Sequence, residues 1–323
     1  MLTQKTVTSM LLGHAVADAV GVPVEFTKRY RLKENPVKNM REYGTYGQPA
    51  GTWSDDTSLT IAAMESMARL KKIDYADILK NFMAWYSKSK FTANDETFDC
   101  GNTTARAISN FAHGTPPLEC GPAHENAAAN GGLMRISPVA MYLYFKRGNN
   151  FDAAAMQIVH NFSALTHGQE KCLIACGIYC LIAAEIFDGQ NLNVAISNGL
   201  NKAKIFYENL REFDEDLSSF KRLFAENFAA LPEDEIKSRG YVVDSLEAAI
   251  WCLLNTDNYK DLVLKAVNLG GDTDTIGAIA GGLAGAFYGV EQIPQNWLDV
   301  LKKKDYLTQT ATAFYNTFKG EKI

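Results

Sequence analysis

The sequence lacks the marks of several protein classes. Its six cysteines include no C-x-x-C pair, and no histidine stands at ligand spacing near Cys172, Cys176 and Cys180, so thiol-bound metal is disfavoured. These three recur every fourth residue, on one face of a helix, as small apolar core residues do. Residues 1–16 lack a charged segment followed by a long apolar run, so no signal peptide is expected. We therefore expect a cytoplasmic protein with reduced thiols.

Runs of charge are also missing. The chain carries 32 basic and 37 acidic residues, for a net charge of −5, and non-specific nucleic-acid binding, which needs basic stripes, is therefore disfavoured. The most apolar stretch, residues 172–187, contains Glu185 and is shorter than the ~20 residues that span a bilayer. It reads as a buried core helix, and no membrane association is expected.

Alternating β patterns are scarce, whereas helical periodicity is common. In residues 57–70, for example, Leu59, Ala62 and Met67 share one face. Neither a fixed-length repeat nor a linker is visible, so the sequence predicts one all-α domain over residues 1–323. The predicted helices cover 3–20, 57–70, 75–87, 102–112, 134–146, 152–163, 172–187, 192–210, 218–230, 245–254, 260–268 and 273–288.

The first chemical motif comprises Ser54, Asp55, Asp56 and Thr57, immediately before a predicted helix. Capping explains one acidic residue there, because a side-chain oxygen accepts backbone N–H bonds at a helix start. Two adjacent carboxylates, however, repel each other unless a cation or another partner lies between them. The long Pro/Gly-rich segment 22–53 leads into this motif, and loops of that length are usually functional or disordered.

The second motif is residues 270–275, where Asp272 and Asp274 follow two glycines and again precede a helix. Glycine permits the tight turn that lets the two carboxylates converge. Further glycines follow at every fourth position, a pattern typical of a helix that another helix approaches closely. Such packing would bring the two acidic turns together. These glycines are Gly277, Gly281, Gly285 and Gly289.

Oxygen donors without histidine or cysteine suit Mg²⁺ or Mn²⁺ better than Zn²⁺. Four carboxylates exceed what one such ion commonly takes, so two ions per chain are predicted. The predicted ligands are Ser54, Asp55, Asp56, Asp272, Asp274 and Thr275. A third motif ends the first helix at Gly21 and Pro23. Asp18 there opposes the helix dipole and should have a partner, while Glu25 is either a solvated loop carboxylate or part of the site.

The ordered set of motifs resembles the ADP-ribosylglycohydrolase family, in particular its ADP-ribosylarginine hydrolases and dinitrogenase reductase-activating glycohydrolases. The motifs are G-x-x-x-G-D-A-x-G-x-P-x-E, S-D-D-T, D-x-G-x-T-T from Asp99, N-G-x-x-M-R-x-x-P from Asn130, Thr166-His167 and G-G-D-T-D-T. Two positions depart from the family pattern: Ala17 stands where glycine is usual, and Ser54 where threonine is common. The resemblance implies an all-α fold, a binuclear Mg²⁺ or Mn²⁺ centre and hydrolysis at the anomeric carbon of ADP-ribose.

Roles follow from the resemblance and from charge. Glu25, Asp55, Asp56 and Asp272 are the expected catalytic residues. Backbone N–H groups of residues 131–134, with Arg135 nearby, are expected to hold the anionic diphosphate. An ordinary loop at the glycines and an ion pair for Arg135 remain open alternatives. His14, His113, His124 and His160 are interpreted as structural. The expected substrate-binding residues are Asp99, Asn130, Gly131, Gly132, Met134, Arg135 and His167.

The expected reaction is release of ADP-ribose from a modified protein or a small conjugate, with arginine favoured as the modified residue. Asp99 could accept a bidentate hydrogen bond from a guanidinium, which a serine linkage would not supply. Alternatives stay open: a serine-linked, O-acetyl-ADP-ribose or other nucleotide-type substrate, or an immunity protein that occludes an ADP-ribosyltransferase toxin. The sequence does not predict the oligomeric state.

Overall fold

The computed structural model describes residues 2–320, which form fifteen α-helices joined by loops and 3-10 turns. Within that range the β pairings are two isolated bridges, Tyr43–Gln48 and Ala129–Tyr241. The predicted all-α class is confirmed. The helices are α1 (Gln4–Gly21), α2 (Arg29–Glu34), α3 (Asp55–Leu70), α4 (Tyr75–Lys88), α5 (Asn102–Ala112), α6 (Ser137–Arg147), α7 (Ala153–Ala164), α8 (Glu170–Phe187), α9 (Leu192–Glu208), α10 (Asp214–Leu217), α11 (Val242–Leu254), α12 (Tyr259–Asn268), α13 (Thr273–Tyr288), α14 (Gln295–Val300) and α15 (Lys304–Phe318).

The buried apolar side chains form one contiguous cluster, with α8 inside it. Cys172, Cys176 and Cys180 of this helix are buried and unpaired, so their predicted place in the core is confirmed. One segment, Gln4–Val24, is long and apolar enough to cross a membrane, but 94% of its apolar window is buried inside the protein. Burial of that kind is what a core helix of a folded chain shows.

Helices α1 and α13 pack at very short range through the predicted glycines. A Cβ added at Gly281 would lie 2.4 Å from the Cβ of Ala17, and one at Gly285 would lie 2.2 Å from the carbonyl oxygen of Ser9. Any larger side chain would push the helices apart. Gly289 is an exception, since it follows the last residue of α13 with φ of 85°. We call the contact of α1 with Gly277, Gly281 and Gly285 the glycine seam. It places the end of α1 beside the start of α13.

Three predicted helices differ from the structure by three residues or more, and one of them, expected over 245–254, begins at Val242. The helix expected over 134–146 begins only at Ser137, because Pro138 has no backbone N–H and is tolerated only in a first turn. The helix expected over 218–230 is wrong. The chain there makes separate i→i+3 turns, at Ser218–Phe220 and Phe228–Ala230, although Phe220 and Phe228 are both buried.

Four helices have no counterpart in the sequence prediction: α2, α10, α14 and α15. Helix α15 buries Leu307, Ala311, Phe314 and Phe318, which follow a helical period that was visible in the sequence. It packs against α1 and α3, and so supports the two helices that carry the site.

Candidate active site and metal centre

The start of α3 is held by the end of α1. The Asp18 carboxylate accepts hydrogen bonds from Ser54 N at 2.9 Å, Thr57 N at 3.1 Å and Thr57 Oγ1 at 2.6 Å. These donors are the partner that Asp18 was expected to need. Because they come from the first turn of α3, the contact fixes where Asp55 and Asp56 lie.

The start of α13 is held by the loop that follows α1. Gly271 N donates to Thr27 O at 2.9 Å, and Phe26 N donates to Gly271 O at 2.6 Å. Gly271 adopts φ of 76°, and an added Cβ would lie 2.0 Å from Ser238 O, so glycine is required there. This pairing brings Glu25 next to the first turn of α13.

The two acidic turns meet, as the sequence predicts. Thr275 Oγ1 lies 3.3 Å from Asp56 Oδ2, and Ser54 Oγ lies 3.3 Å from the same oxygen. Asn130 Nδ2 donates to Asp272 Oδ2 at 2.8 Å, which ties the motif that begins at Asn130 to these turns. The assignment of these side chains as metal ligands stays a prediction.

A second grouping was not expected. One ligand oxygen from each of Glu25, Asp99 and Asp274 lies within 4.8 Å of the other two. The sequence assigned metal binding to Asp274 alone of these, acid–base chemistry to Glu25 and leaving-group recognition to Asp99. Asp99 also has φ of 52°, a strained conformation for a non-glycine residue that costs about 1–3 kcal/mol and is common at functional sites.

Six carboxylates thus surround one place, which we call the acidic centre. Asp99 and Asp272 are partly exposed and the other four are buried. No lysine, arginine or histidine within residues 2–320 forms an ion pair with any of them. The members of the acidic centre are Glu25, Asp55, Asp56, Asp99, Asp272 and Asp274.

The acidic centre is electrostatically incomplete. Burial and the neighbouring Asp99 and Asp272 raise the pKa of Glu25 to about 9. Burial and nearby carboxylates also hold the pKa values of Asp55, Asp56 and Asp274 well above their usual range. Glu25 Oε2, Asp56 Oδ1 and Asp274 Oδ2 are buried with no hydrogen-bond partner among the described residues. Unpaired hard oxygens of this kind fit a divalent cation, which would supply the missing positive charge.

A cavity of about 220 Å³ opens beside the acidic centre. The lining also includes uncharged hydrogen-bonding residues, which we call the neutral wall: Thr103, Thr104, Asn130, Gly131 and His167. Met134 also lines the cavity, whereas the other four histidines do not. Of the predicted substrate-binding residues, all but Gly132 and Arg135 border this space; Gly132 lies behind it, against the ring of His167.

The predicted contact between Arg135 and the diphosphate is wrong. Its side chain is 0% exposed, and its guanidinium lies 4.8 Å from the ring centres of both Phe82 and Phe162. It donates to Thr166 Oγ1 at 2.6 Å and to Phe162 O at 3.2 Å. No carboxylate among the described residues pairs with it, so the ion-pair alternative also fails. Arg135 lies behind the cavity.

Fewer of the backbone N–H groups of residues 131–134 are available to a diphosphate than the sequence predicts. Leu133 N and Met134 N both donate to Asn130 O, at 2.8 and 3.0 Å, so these N–H groups are satisfied within the turn. The expectation that the Met134 N–H faces the diphosphate is therefore wrong. Of the glycines in the expected set, Gly131 borders the cavity and Gly132 does not.

Sequence reasoning missed Tyr46. Its hydroxyl lies beside Glu25 and Asp99, and burial together with the charge of Asp99 raises its pKa. Thr45 Oγ1 donates to Glu25 O at 2.8 Å, which fixes the same loop. Both residues belong to segment 22–53, whose functional role was expected from its length, but no periodicity singles them out.

The fold and the site define an all-α protein with a buried acidic centre beside a small polar cavity, an arrangement suited to divalent cations. Over residues 2–322 it matches the profile described as ADP-ribosylglycohydrolase. The chain belongs to the ADP-ribosylglycohydrolase family, as its motifs indicated.

Individual relatives agree with this assignment. The ADP-ribosylarginine hydrolase Tri1 of Serratia proteamaculans is 31% identical over 308 residues, covering 94% of this chain and 77% of the relative. The ADP-ribosyl-[dinitrogen reductase] glycohydrolase of Rhodospirillum rubrum is 29% identical, covering 91% and 89%. A solved structure titled ADP-ribosylglycohydrolase-related protein complex superposes with a TM-score of 0.76 at 28% identity, covering 97% of this chain and 98% of the other.

Proposed function

We propose that this enzyme releases ADP-ribose from ADP-ribosylated arginine in a protein, and that it needs two Mg²⁺ or Mn²⁺ ions to do so. The observation that carries the proposal is the acidic centre, whose buried oxygens have no countercharge and border a cavity with neutral hydrogen-bonding groups. The relatives named as ADP-ribosylarginine hydrolases support arginine as the modified residue.

The residues that would hold the ions are Ser54, Asp55, Asp56, Asp272, Asp274 and Thr275. Glu25 and Asp99 lie close enough to join them. Cations bound there would orient the ribose hydroxyls and lower the pKa of a bound water. Burial and like charge then serve the reaction, since carboxylates that repel one another bind a cation strongly once deprotonated.

The protein's own groups carry the proton and hold the substrate. Cleavage of a glycosidic bond builds positive charge at the anomeric carbon and negative charge on the leaving group. Glu25 is placed to exchange a proton through its unpaired Oε2 with the attacking water or with the leaving nitrogen. The neutral wall would bind the diphosphate, because Gly131 N and His167 offer donors without adding a competing carboxylate.

We propose that Asp99 recognises the leaving group. It lies at the mouth of the same cavity and is partly exposed, so a guanidinium could reach it from outside. We also propose a cytoplasmic location, in keeping with six cysteines that are all unpaired.

The experiment is a comparison of turnover on ADP-ribosylarginine, ADP-ribosylserine and O-acetyl-ADP-ribose, each with Mg²⁺, with Mn²⁺ or with a chelator. We expect intact ADP-ribose to be released fastest from arginine, and no release in the chelator. Release of inorganic phosphate would favour a nucleotide hydrolase, and turnover of the serine linkage alone would overturn the arginine assignment. Protection of cells from an ADP-ribosyltransferase toxin by the Asp272→Ala variant would indicate occlusion instead of hydrolysis.

A further inference from the structure

Arg135 is an unusual buried cation. Its guanidinium is sandwiched between the rings of Phe82 and Phe162, and its Nε and Nη1 atoms have no hydrogen-bond partner among the described residues. Burying a guanidinium away from a carboxylate is costly, and an apolar side chain of similar volume would fill the same space more cheaply. Burial lowers the pKa of Arg135 to about 10, so the group still carries its charge near neutral pH. Packing alone therefore does not explain why an arginine occupies this position.

The Arg135 guanidinium has one side-chain hydrogen-bond partner among the described residues, the hydroxyl of Thr166. Arg135 Nη2 donates to Thr166 Oγ1 at 2.6 Å, and Thr166 Oγ1 lies 2.8 Å from His167 Nδ1. An arginine only donates hydrogen bonds, so the Thr166 oxygen must accept from it. The hydroxyl proton is then free to point to the imidazole, and no other acceptor for it is found within residues 2–320. Donation from a cation also strengthens the hydroxyl as a donor.

The imidazole of His167 is immobile between these groups and the cavity. Its backbone N–H donates to Ser163 O at 2.8 Å, and Ser163 Oγ donates to His167 O at 2.9 Å. A Cβ at Gly131 would lie 2.6 Å from the ring Cε1, so the turn of the neutral wall packs directly on the ring. Burial and the nearby positive charge of Arg135 hold the pKa of His167 at about 3, so the ring is neutral.

We propose that Arg135 and Thr166 are positioning residues that hold His167 as the tautomer protonated at Nε2, so that this N–H donates to an oxygen of the bound ADP-ribosyl group. When Nδ1 accepts from Thr166, the single proton of a neutral imidazole must lie on Nε2. The identity of the ligand rests on the proposed function, whereas the tautomer does not. Arg135 follows residues 130–134 of the cavity in sequence but does not line the cavity, and in this proposal it influences the cavity through Thr166 and His167.

The test is a long-range ¹H–¹⁵N correlation spectrum of ligand-free protein labelled at its five histidines. The signals of His167 are assigned by their loss in His167→Gln. We expect a protonated Nε2 and an unprotonated Nδ1 in the wild type. Thr166→Ser should keep this pattern, since it keeps the hydroxyl. Thr166→Val should shift the proton toward Nδ1 or mix the two forms, and Arg135→Met should do so in part.

Binding of free ADP-ribose supplies a second measurement. We expect Thr166→Val to weaken its Kd about tenfold, and Thr166→Ser to restore it to within about twofold, the tenfold change equalling about 1.4 kcal/mol. Thr310→Val, which removes a buried hydroxyl in α15 away from the cavity, is the matched control and should change neither measurement. The proposal is overturned if wild-type His167 carries its proton on Nδ1, or if Thr166→Val leaves both the tautomer and the Kd unchanged.

The proposed function and the proposed role of Arg135 and Thr166 can be contradicted independently. If ADP-ribose does not bind the wild type, the proposed function is wrong, and the nitrogen signals alone decide the tautomer. If Arg135→Met unfolds the protein, Thr166→Val and Thr166→Ser still test the relay, because neither removes the cation.

Discussion

The two sides of the cavity differ in what they lack. The acidic centre has six carboxylates and no cation in contact, so it needs positive charge from outside the chain. The neutral wall presents uncharged hydrogen-bonding groups, among them the backbone of Gly131 and the ring of His167. In the proposed binding mode, the ribose hydroxyls of ADP-ribose face the acidic centre and its anionic diphosphate faces the neutral wall.

The acidic centre and the neutral wall also place their charged groups differently. In the acidic centre the charged groups themselves face the cavity. Behind the neutral wall, the cation Arg135 is kept out of contact and acts through Thr166 on a neutral ring. A cation placed directly in the wall would attract the carboxylates of the same cavity and compete with the proposed metal ions.

Removing a carboxylate of the acidic centre should have the largest effect. Asp272→Ala is expected to lower kcat/KM by at least about 10³-fold, or about 4 kcal/mol, because the ions contribute several kcal/mol to the transition state. Steady-state kinetics with saturating Mg²⁺ or Mn²⁺ measure this, and circular dichroism checks the fold. Glu291→Ala, which removes an exposed carboxylate paired with Lys5, is the control and should keep full activity. An Asp272→Ala enzyme within tenfold of wild type would refute the metal-centre assignment.

Asp99 should separate arginine from serine linkages. Loss of a charged hydrogen bond of about 1.5–3 kcal/mol predicts that Asp99→Ala slows the arginine substrate about 10- to 100-fold more than the serine substrate. Parallel kinetics on both substrates give this ratio, and Asp99→Asn tests whether shape alone suffices. Equal slowing would mean that Asp99 supports the cations near Glu25 and Asp274 and does not read the guanidinium.

The neutral wall should respond through binding. Gly131→Val is expected to raise KM about tenfold with a smaller change in kcat, because its side chain blocks the backbone N–H and displaces the His167 ring. Gly131→Ala, whose Cβ already meets that ring, should show the same change more weakly. Unchanged KM in both variants would leave the wall without a role in diphosphate binding.

The smallest expected effect concerns stability. Glu25 has its pKa raised from 4.5 to about 9, so the folded metal-free protein binds a proton that the unfolded chain releases above pH 4.5. Its stabilising contribution is complete below pH 4.5 and is lost as the pH rises through 9. We expect the Tm in chelator to fall by about 3 °C or more between pH 5 and 8, and Mg²⁺ to remove this slope. A metal-free Tm that rises with pH would contradict the raised pKa values.

Local signals in the sequence predicted a large part of this arrangement. The pairs Asp55–Asp56 and Asp272–Asp274 stand at helix starts, as predicted. The four-residue glycine spacing indicated a close helix contact, but that contact is with α1, and Asp18 at the end of α1 links it to the start of α3. Asp18 was expected to need a partner because of the dipole, and it has one. Each of these inferences depends on a pattern within about fifteen residues.

Errors arose where the answer depends on distant parts of the chain. Arg135 follows two cavity glycines, but Phe82 and Phe162, which enclose it, come from other helices. Likewise, nothing in the sequence brings Tyr46 to Asp99, or Glu25 to Asp274 as a third acidic neighbour.

The glycine seam has a consequence for how the protein is made. It joins residues near position 17 to residues near position 281. Four carboxylates of the acidic centre therefore leave the ribosome long before Asp272 and Asp274, and contacts of such sequence separation form late. If the proposed cations bind, the complete site forms only after synthesis has passed residue 275 and α13 has docked on α1.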